Sequence, residues 1–361
     1  MIAGGGTGGH LYIGIAVARE LLTRNPATSL LFVGVRQGLE SQIVPREGYR
    51  LEYIVSEGLK GMGKLEMVRN FLLIPRSLLQ SRRLVLSHVP DVVVGVGGYA
   101  SGPVILAAWW LGKPTLIIEP NALPGLTNRW LAGLVDLAAL ALPDTGSYFG
   151  SKGIVTGIPV RREFCAMPPR KKREGVTVLI FGGSQGSHAL NTIVCEALAD
   201  LRDFGPSLRL IHQTGEKEFD RVERAYRDSG VEGNVRPFLP KIYEQFAEAD
   251  LIICRAGAGA VAELTAAGKA AILVPFPGAS DDHQTKNAQA LAGLGAAKMI
   301  SQNEWKPGRL ASEIRFFMER PEELKRMGEA ARKLAKPDAA GRIADLAVEL
   351  ASRKTVRGSR L

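Results

Sequence analysis

Cysteine is scarce: Cys165, Cys195 and Cys254 are the only three among 361 residues. Scattered thiols of odd number form no disulfide framework and no Cys-x-x-Cys metal site, which fits a reducing cytoplasm. Aromatic residues are sparse at 6%. Neither zinc-finger spacing nor an aromatic-and-basic RNA-binding motif occurs, so nucleic acid is the weakest class of partner. No signal peptide precedes the first glycine loop, because Met1-Ile-Ala leads directly into it. That stub is short for a buried first strand, and the natural start codon is expected upstream. Val92 to Gly112 carries no charge and matches a bilayer in length. Its five glycines and Pro103 read better as strand, turn and helix.

Glycine and positive charge are in excess. Forty-six Lys and Arg face 36 Asp and Glu, a formal net charge of +10. Such a surplus implies an anionic partner, here a phosphorylated substrate or an acidic lipid surface. The 41 glycines gather at strand ends rather than in a low-complexity tract. The length suggests two domains. Short apolar runs at Leu30–Val35, Val92–Val96, Thr115–Ile118, Val176–Phe181 and Leu251–Cys254 alternate with helical patterns. The first helix is expected over Leu11–Leu22, and another starts near Ser101 with Ser as cap and Pro103 in its first turn. The rhythm pauses around Val155–Val160, and Met167–Glu174 is a Pro- and Lys/Arg-rich spacer, so the linker falls between them. The expected class is α/β, with two doubly wound, Rossmann-like domains of parallel sheet facing across a cleft.

The densest chemistry lies in Ile252–Asn287. A buried strand ends in the small-residue turn Arg255–Gly259 and feeds a helix over Ala260–Ala267. A helix start of this kind offers free backbone N–H groups and a positive dipole end to phosphate. Glu263 lies about five residues in, roughly 7–8 Å along the axis, which suits the ribose of a nucleotide whose diphosphate sits at the turn. Leu273–Phe276 is read as the next strand and Asp281–Asn287 as a polar loop suited to sugar hydroxyls. Each piece alone is ordinary strand–helix architecture. The ordered combination favours a nucleotide-sugar site.

Gly4, Gly6 and Gly9 satisfy G-x-G-x-x-G after a strand. A nicotinamide enzyme needs an acidic residue at the end of its second strand, but Arg36 and Gln37 follow Val35. NAD is disfavoured, while NADP stays open. Three strand-end loops, Gly4–Gly9, Gly95–Gly98 and Gly182–Gly186, suggest close backbone approach to phosphorylated ligands. His10 ends the first, at a strand's carboxyl end beside an anion site, which suits a general base. His88 and His212 earn no role.

Leu65–Leu86 winds into two apolar stripes. Leu65, Val68, Leu72 and Leu79 form the second, flanked by Arg69, Arg76 and Arg83. A helix apolar all round is usually buried, but three arginines beside the stripe make burial costly. Insertion into an anionic lipid interface accounts for both features. Pro75 is expected to kink or restart the helix.

With these residues assembled, the chain resembles the MurG family of peripheral membrane N-acetylglucosaminyltransferases, which convert lipid I to lipid II in peptidoglycan synthesis. The resemblance spans nearly the whole chain. It rests on Gly5-Gly-Thr-Gly-Gly-His10, Gly97-Gly-Tyr-Ala-Ser-Gly-Pro103, Gly125-Leu-Thr-Asn128, Gly182-Gly-Ser-Gln-Gly186 and Cys254-Arg-Ala-Gly-Ala258 through Glu263. It implies the GT-B fold and inversion at the anomeric carbon. It also implies an acceptor and membrane domain over 1–158 and a UDP-GlcNAc domain over 159–340, with a C-terminal helix at about 341–361 packing back on the first.

By motif position, Glu263 is implied to hold the ribose, with Leu239 against uracil. Ser184 with the Gly257–Ala258 turn is implied at the diphosphate, and Gln185 and Arg255 are implied among the substrate contacts. His283 and Gln284 are implied near the GlcNAc, Asn121 near its hydroxyls, and Asn128 among the substrate contacts. His10 and Tyr99 are implied on the acceptor side, Thr7, Gly8 and Gly9 among the substrate contacts, Arg161 at the hinge, and Glu119 as the second candidate base. The implied partners are UDP-GlcNAc, lipid I, the cytoplasmic face of the cell membrane, and cell-wall synthesis or division proteins. Five positions depart from the family pattern. Ile118 and Pro120 flank Glu119, Ile158 opens Ile-Pro-Val-Arg161, Ala260 replaces a hydroxyl residue, and Ile13 replaces proline.

The resulting expectation is transfer of GlcNAc from UDP to the 4-hydroxyl of lipid-linked MurNAc. No Asp-x-Asp pair lies near the nucleotide stretch, and no metal or cofactor is expected. A GT-B enzyme acting on diacylglycerol or a sterol, an NADP-linked reductase and a non-catalytic membrane scaffold are the alternatives.

Overall fold

Runs of two to six residues, apolar in the central strands, become the strands of two sheets, and every described strand pair is parallel. The computed structural model describes residues 1–5, 8–56, 64–168 and 174–358; of 8, 9, 64–72, 280 and 354–358 it describes the backbone alone. The chain divides into two compact units, Met1–Pro159 with Asp338–Leu361, and Val160–Pro337.

The first unit runs β1 (Ile2–Gly4), α1 (Gly8–Arg24), β2 (Leu31–Gly34), α2 (Glu40–Arg46), β3 (Arg50–Tyr53), α3 (Lys64–His88), β4 (Val93–Gly97), α4 (Ser101–Trp110), β5 (Thr115–Glu119), α5 (Leu126–Leu131), β6 (Leu137–Leu140) and β7 (Gly153–Val155). Its sheet has the order β3-β2-β1-β4-β5-β6-β7. The second unit runs α6 (Arg162–Cys165), β8 (Val176–Phe181), α7 (His188–Arg202), β9 (Leu208–Gln213), α8 (Phe219–Ser229), β10 (Gly233–Arg236), α9 (Ile242–Glu248), β11 (Leu251–Cys254), α10 (Ala258–Ala267), β12 (Ala270–Leu273), α11 (His283–Gly293), β13 (Lys298–Met299), α12 (Pro307–Glu319) and α13 (Pro321–Lys333). Its order is β10-β9-β8-β11-β12-β13. Helix α14 (Ala339–Gly358) then returns to the first unit. Arg24 of α1 donates to the Gly341 carbonyl at 2.9 Å and pairs with Asp345, while Ile343, Ala344 and Ala347 are buried.

Parallel strands covered on both faces need apolar side chains throughout, and β8 and β11 are buried almost end to end. Their register sets the site. Phe181 lies level with both Cys254 and Gln213, and Gln213 with Arg236. The loops that leave these four strands therefore emerge side by side at the carboxyl ends.

Several local expectations change. Helix α1 begins at Gly8, three residues before the expected Leu11. Ser101 is not the cap of α4. Ala100 before it is already helical at φ −77°, ψ −26°, and the buried Ser101 hydroxyl has no partner. The strand expected over Leu273–Phe276 lies at Ala270–Leu273, paired with Leu251–Cys254, and Pro275 and Pro277 follow it. The polar loop expected over Asp281–Asn287 is instead a short turn and the start of α11, where the Thr285 hydroxyl bonds the Asp282 cap residue. Helix α3 runs through Pro75, which is exposed. His88 belongs to this helix rather than to a loop. His212 is fully buried and bonds Asn191 and Tyr226, and burial pushes its imidazole down to about 3.

Candidate active site

In the second unit the start of α10 is bare. Gly257 precedes it with φ −66° and ψ 147°, and no side chain caps the first turn. A Cβ added at Gly257 or Gly259 would meet nothing within 4 Å. A run of small residues thus leaves unspent N–H groups open to an anion. Glu263 sits on the same helix, and its carboxylate accepts a hydrogen bond from Arg161 Nη2 at 3.3 Å. Burial raises the Glu263 carboxyl above the usual range, and Arg161 opposes that rise. The Arg161 guanidinium lies 4.8 Å from the Phe164 ring centre and 5.8 Å from that of Tyr243.

Arg255 is held by several protein acceptors. Its guanidinium is buried and donates to the Val274 and Pro275 carbonyls at 3.1 and 3.0 Å, to the Ser187 hydroxyl and to Gln302 Oε1. It joins the ends of β8, β11 and β12 into one rim. Asn287 adds a bond from α11 to the Ala256 carbonyl at 3.0 Å. Gln284 Oε1 accepts from the Phe276 N–H at 3.0 Å, and His283 opens α11 beside it. Asp281 and Asp282, just before, both take positive φ, at 53° and 54°. Ser184 and Gln185 are exposed in the turn after β8. Leu239 is buried, with its N–H bonded to Gln213.

In the first unit, His10 lies on the first turn of α1 against β4. A Cβ on Gly97, whose φ is +97°, would stand 2.8 Å from the His10 Cδ2 atom, so the imidazole needs glycine there. Thr7 lies outside the described residues, and Gly8 and Gly9 start α1. Tyr99 is exposed, and its carbonyl accepts from the Ser56 hydroxyl at 2.7 Å.

Glu119 is 1% exposed at the end of β5. It accepts from the Asn121 N–H and side chain at 2.9 and 3.3 Å, from the Gly125 N–H at 3.1 Å and from Asn128 Nδ2 at 2.9 Å. Burial raises its pKa, and these four bonds oppose the rise. Such a carboxylate holds the loop that carries Asn121 and Gly125.

Two groups that organise these rims had no role in the sequence reading: Gln213 and the buried Glu40, which accepts from the Val35 N–H. The only signal for Gln213 was a polar residue closing a buried apolar strand.

Residues 1–139 match the glycosyltransferase family 28 N-terminal domain, and residues 177–343 match the family 28 C-terminal domain. The UDP-N-acetylglucosamine–N-acetylmuramyl-(pentapeptide) pyrophosphoryl-undecaprenol N-acetylglucosamine transferase of an Anaeromyxobacter species is 48% identical over 357 residues, covering 98% of this chain and 94% of the relative. The transferase of the same name from Myxococcus xanthus is 44% identical, covering 97% and 92%. Among solved structures, MurG of Acinetobacter baumannii matches with a TM-score of 0.81 at 32% identity, over 97% of this chain and 98% of that one. The fold is GT-B, built from two Rossmann-like units. The chain therefore belongs to glycosyltransferase family 28, within its family of UDP-N-acetylglucosamine–N-acetylmuramyl-(pentapeptide) pyrophosphoryl-undecaprenol N-acetylglucosamine transferases.

Proposed function

We propose that this chain transfers GlcNAc from UDP-GlcNAc to the 4-hydroxyl of MurNAc in lipid I, giving lipid II with inversion at the sugar's anomeric carbon. The observation that carries the reading is the uncapped start of α10 with Glu263 about a turn and a half further on. The diphosphate lies on the N–H groups at Gly257–Ala258 and beside Ser184. The ribose hydroxyls bond Glu263, so Arg161 must share or yield that carboxylate. Uracil lies against Leu239, and His283 and Gln284 read the GlcNAc.

Acceptor chemistry falls to the first unit, with Tyr99 and the turn at Gly8–Gly9 beside His10. The MurNAc oxygen attacks the anomeric carbon as the bond to UDP breaks, and His10 takes the hydroxyl proton. Charge developing on the departing diphosphate is met by preorganised backbone donors. Glu119 serves by holding Asn121 and Asn128.

Docking on the cytoplasmic face of the membrane is the second part of the reading. Among the described residues no helix is long and apolar enough to cross a membrane. On α3, Leu79 is 64% exposed, and Arg76 and Arg83 are exposed beside it. The side chains of Leu65, Val68, Arg69 and Leu72 lie outside the described residues. Each arginine near an anionic leaflet contributes about 1 kcal/mol.

Incubation with radiolabelled UDP-GlcNAc and lipid I, or a water-soluble short-chain analogue, should yield the labelled disaccharide lipid. Label entering diacylglycerol instead would replace the acceptor. Reversal of Arg76 and Arg83 to Glu should abolish transfer in anionic vesicles and spare the short-chain acceptor. Equal loss on both acceptors would place the stripe in the folded core.

A further inference from the structure

Gln213 closes β9 with its side chain 3% exposed. Its Nε2 donates to the Gly183 carbonyl at 2.9 Å, and its Oε1 accepts from the Leu239 N–H at 3.0 Å. Gly183 belongs to the turn after β8 and holds φ +96°, while Leu239 follows β10. One amide therefore ties two loops that have no sequence proximity, using its donor on one and its acceptor on the other.

The backbone around it repeats the connection. A Cβ on Gly186 would stand 1.8 Å from the Thr214 carbonyl oxygen, and one on Gly215 would stand 2.1 Å from the Gln185 carbonyl oxygen. The two turns are pressed together where neither tolerates a side chain. On the other side, the N–H groups of Thr214 and Gly215 donate to the Arg236 and Pro237 carbonyls, both at 3.0 Å. Residues 213–215 thus form the middle layer between the turn after β8 and the segment that leads to Leu239.

We propose that Gln213 is a positioning residue for the nucleotide: its amide fixes the diphosphate turn and the uracil-side backbone in one register, so that nucleoside recognition and diphosphate binding are coupled. This rests on the donor-site reading above, in which Ser184 and Leu239 flank the two ends of UDP. Only a side chain with a donor and an acceptor on the same carbon meets both demands. A glutamate keeps the acceptor for Leu239 but turns a lone pair towards the Gly183 carbonyl. A methionine keeps the shape and loses both bonds.

The test is calorimetric titration of uridine and UDP into Q213E, Q213M and the unaltered protein, with melting curves to establish folding. At pH 8.5, Q213E should bind uridine within about twofold of the unaltered protein and bind UDP about five- to tenfold more weakly. At pH 5 a protonated carboxyl regains a donor, and the UDP deficit should shrink. Q213M should weaken both ligands at either pH. Equal weakening of uridine and UDP by Q213E, or no effect on UDP, overturns the proposal, and if Q213M does not fold the Q213E comparison decides alone. E263A is the control for the underlying reading. If it too leaves uridine and UDP unchanged, the site assignment has failed rather than the role of Gln213.

Discussion

The two units share the sequence of strand, glycine turn and helix, yet they stabilise their strand ends with charges of opposite sign. The first buries Glu40 and Glu119, each 1% exposed. Glu40 accepts from the Val35 N–H, and Glu119 from those of Asn121 and Gly125. The second buries Arg255, which donates to the carbonyls of Val274 and Pro275. A buried carboxylate consumes backbone donors, whereas a buried guanidinium consumes acceptors and leaves donors for a ligand. The second rim is thus suited to a diphosphate, and the first to positioning side chains such as His10 and Asn121.

Four substitutions sharpen or break that contrast. The largest effect is expected for His10→Ala, with kcat about 10²–10⁴-fold lower and the UDP dissociation constant nearly unchanged. Steady-state rates with parallel UDP titration check this. A collapse of UDP binding would show that the first rim handles the anion as well.

Arg255→Met comes next. It strands two carbonyls, each at about 1–3 kcal/mol, so urea unfolding should show a loss of about 2–6 kcal/mol, with UDP affinity falling in the native protein. If stability is unchanged, the guanidinium is not what organises the second rim.

Glu263 is the carboxylate of the second unit that meets Arg161 rather than a backbone donor, which marks it for a ligand. Glu263→Ala should raise the KM for UDP-GlcNAc about tenfold or more, the worth of a charge-assisted bond at about 1.5–3 kcal/mol. An unchanged KM makes α10 purely structural.

The smallest effect concerns Glu119 and pH. Its folded pKa is raised, first by burial. Its contribution to stability is therefore complete below the unfolded carboxylate value, about 4.3, and is lost as pH rises through the folded value. Glu119→Gln should flatten that decline when urea midpoints are compared from pH 4 to pH 7. A slope that does not change would mean that the carboxyl is not perturbed.

Some of this was legible in the chain and some was not. Val176–Phe181 and Leu251–Cys254 could be read residue for residue, because a parallel strand buried on both faces is an unbroken apolar run. The places of the glycine turns, His10 and Glu263 in the fold were legible because each stands at a strand end or within the following helix. Helix α11 was hidden by its polar first turn, since Asn287, Ala288 and Leu291 are the residues it buries. Strand β12 was set three residues late because Ala270 and Ala271 carry little strand signal beside Val274. The Arg255 and Gln213 networks were illegible for a different reason. Their partners, Ser187, Gln302, Gly183 and Leu239, are far apart in sequence and meet only through strand register.

Helix α14 has a consequence for how the protein is made. It completes the first unit by meeting α1, yet the whole of Val160–Pro337 is translated before it. At about 5–20 residues per second, those roughly 180 residues take about 10–35 s. During that interval the nascent first unit presents the apolar surface that Ile343, Ala344 and Ala347 will later cover. The second unit, by contrast, is contiguous and can close as soon as it leaves the ribosome. The half synthesised first is the half that finishes folding last.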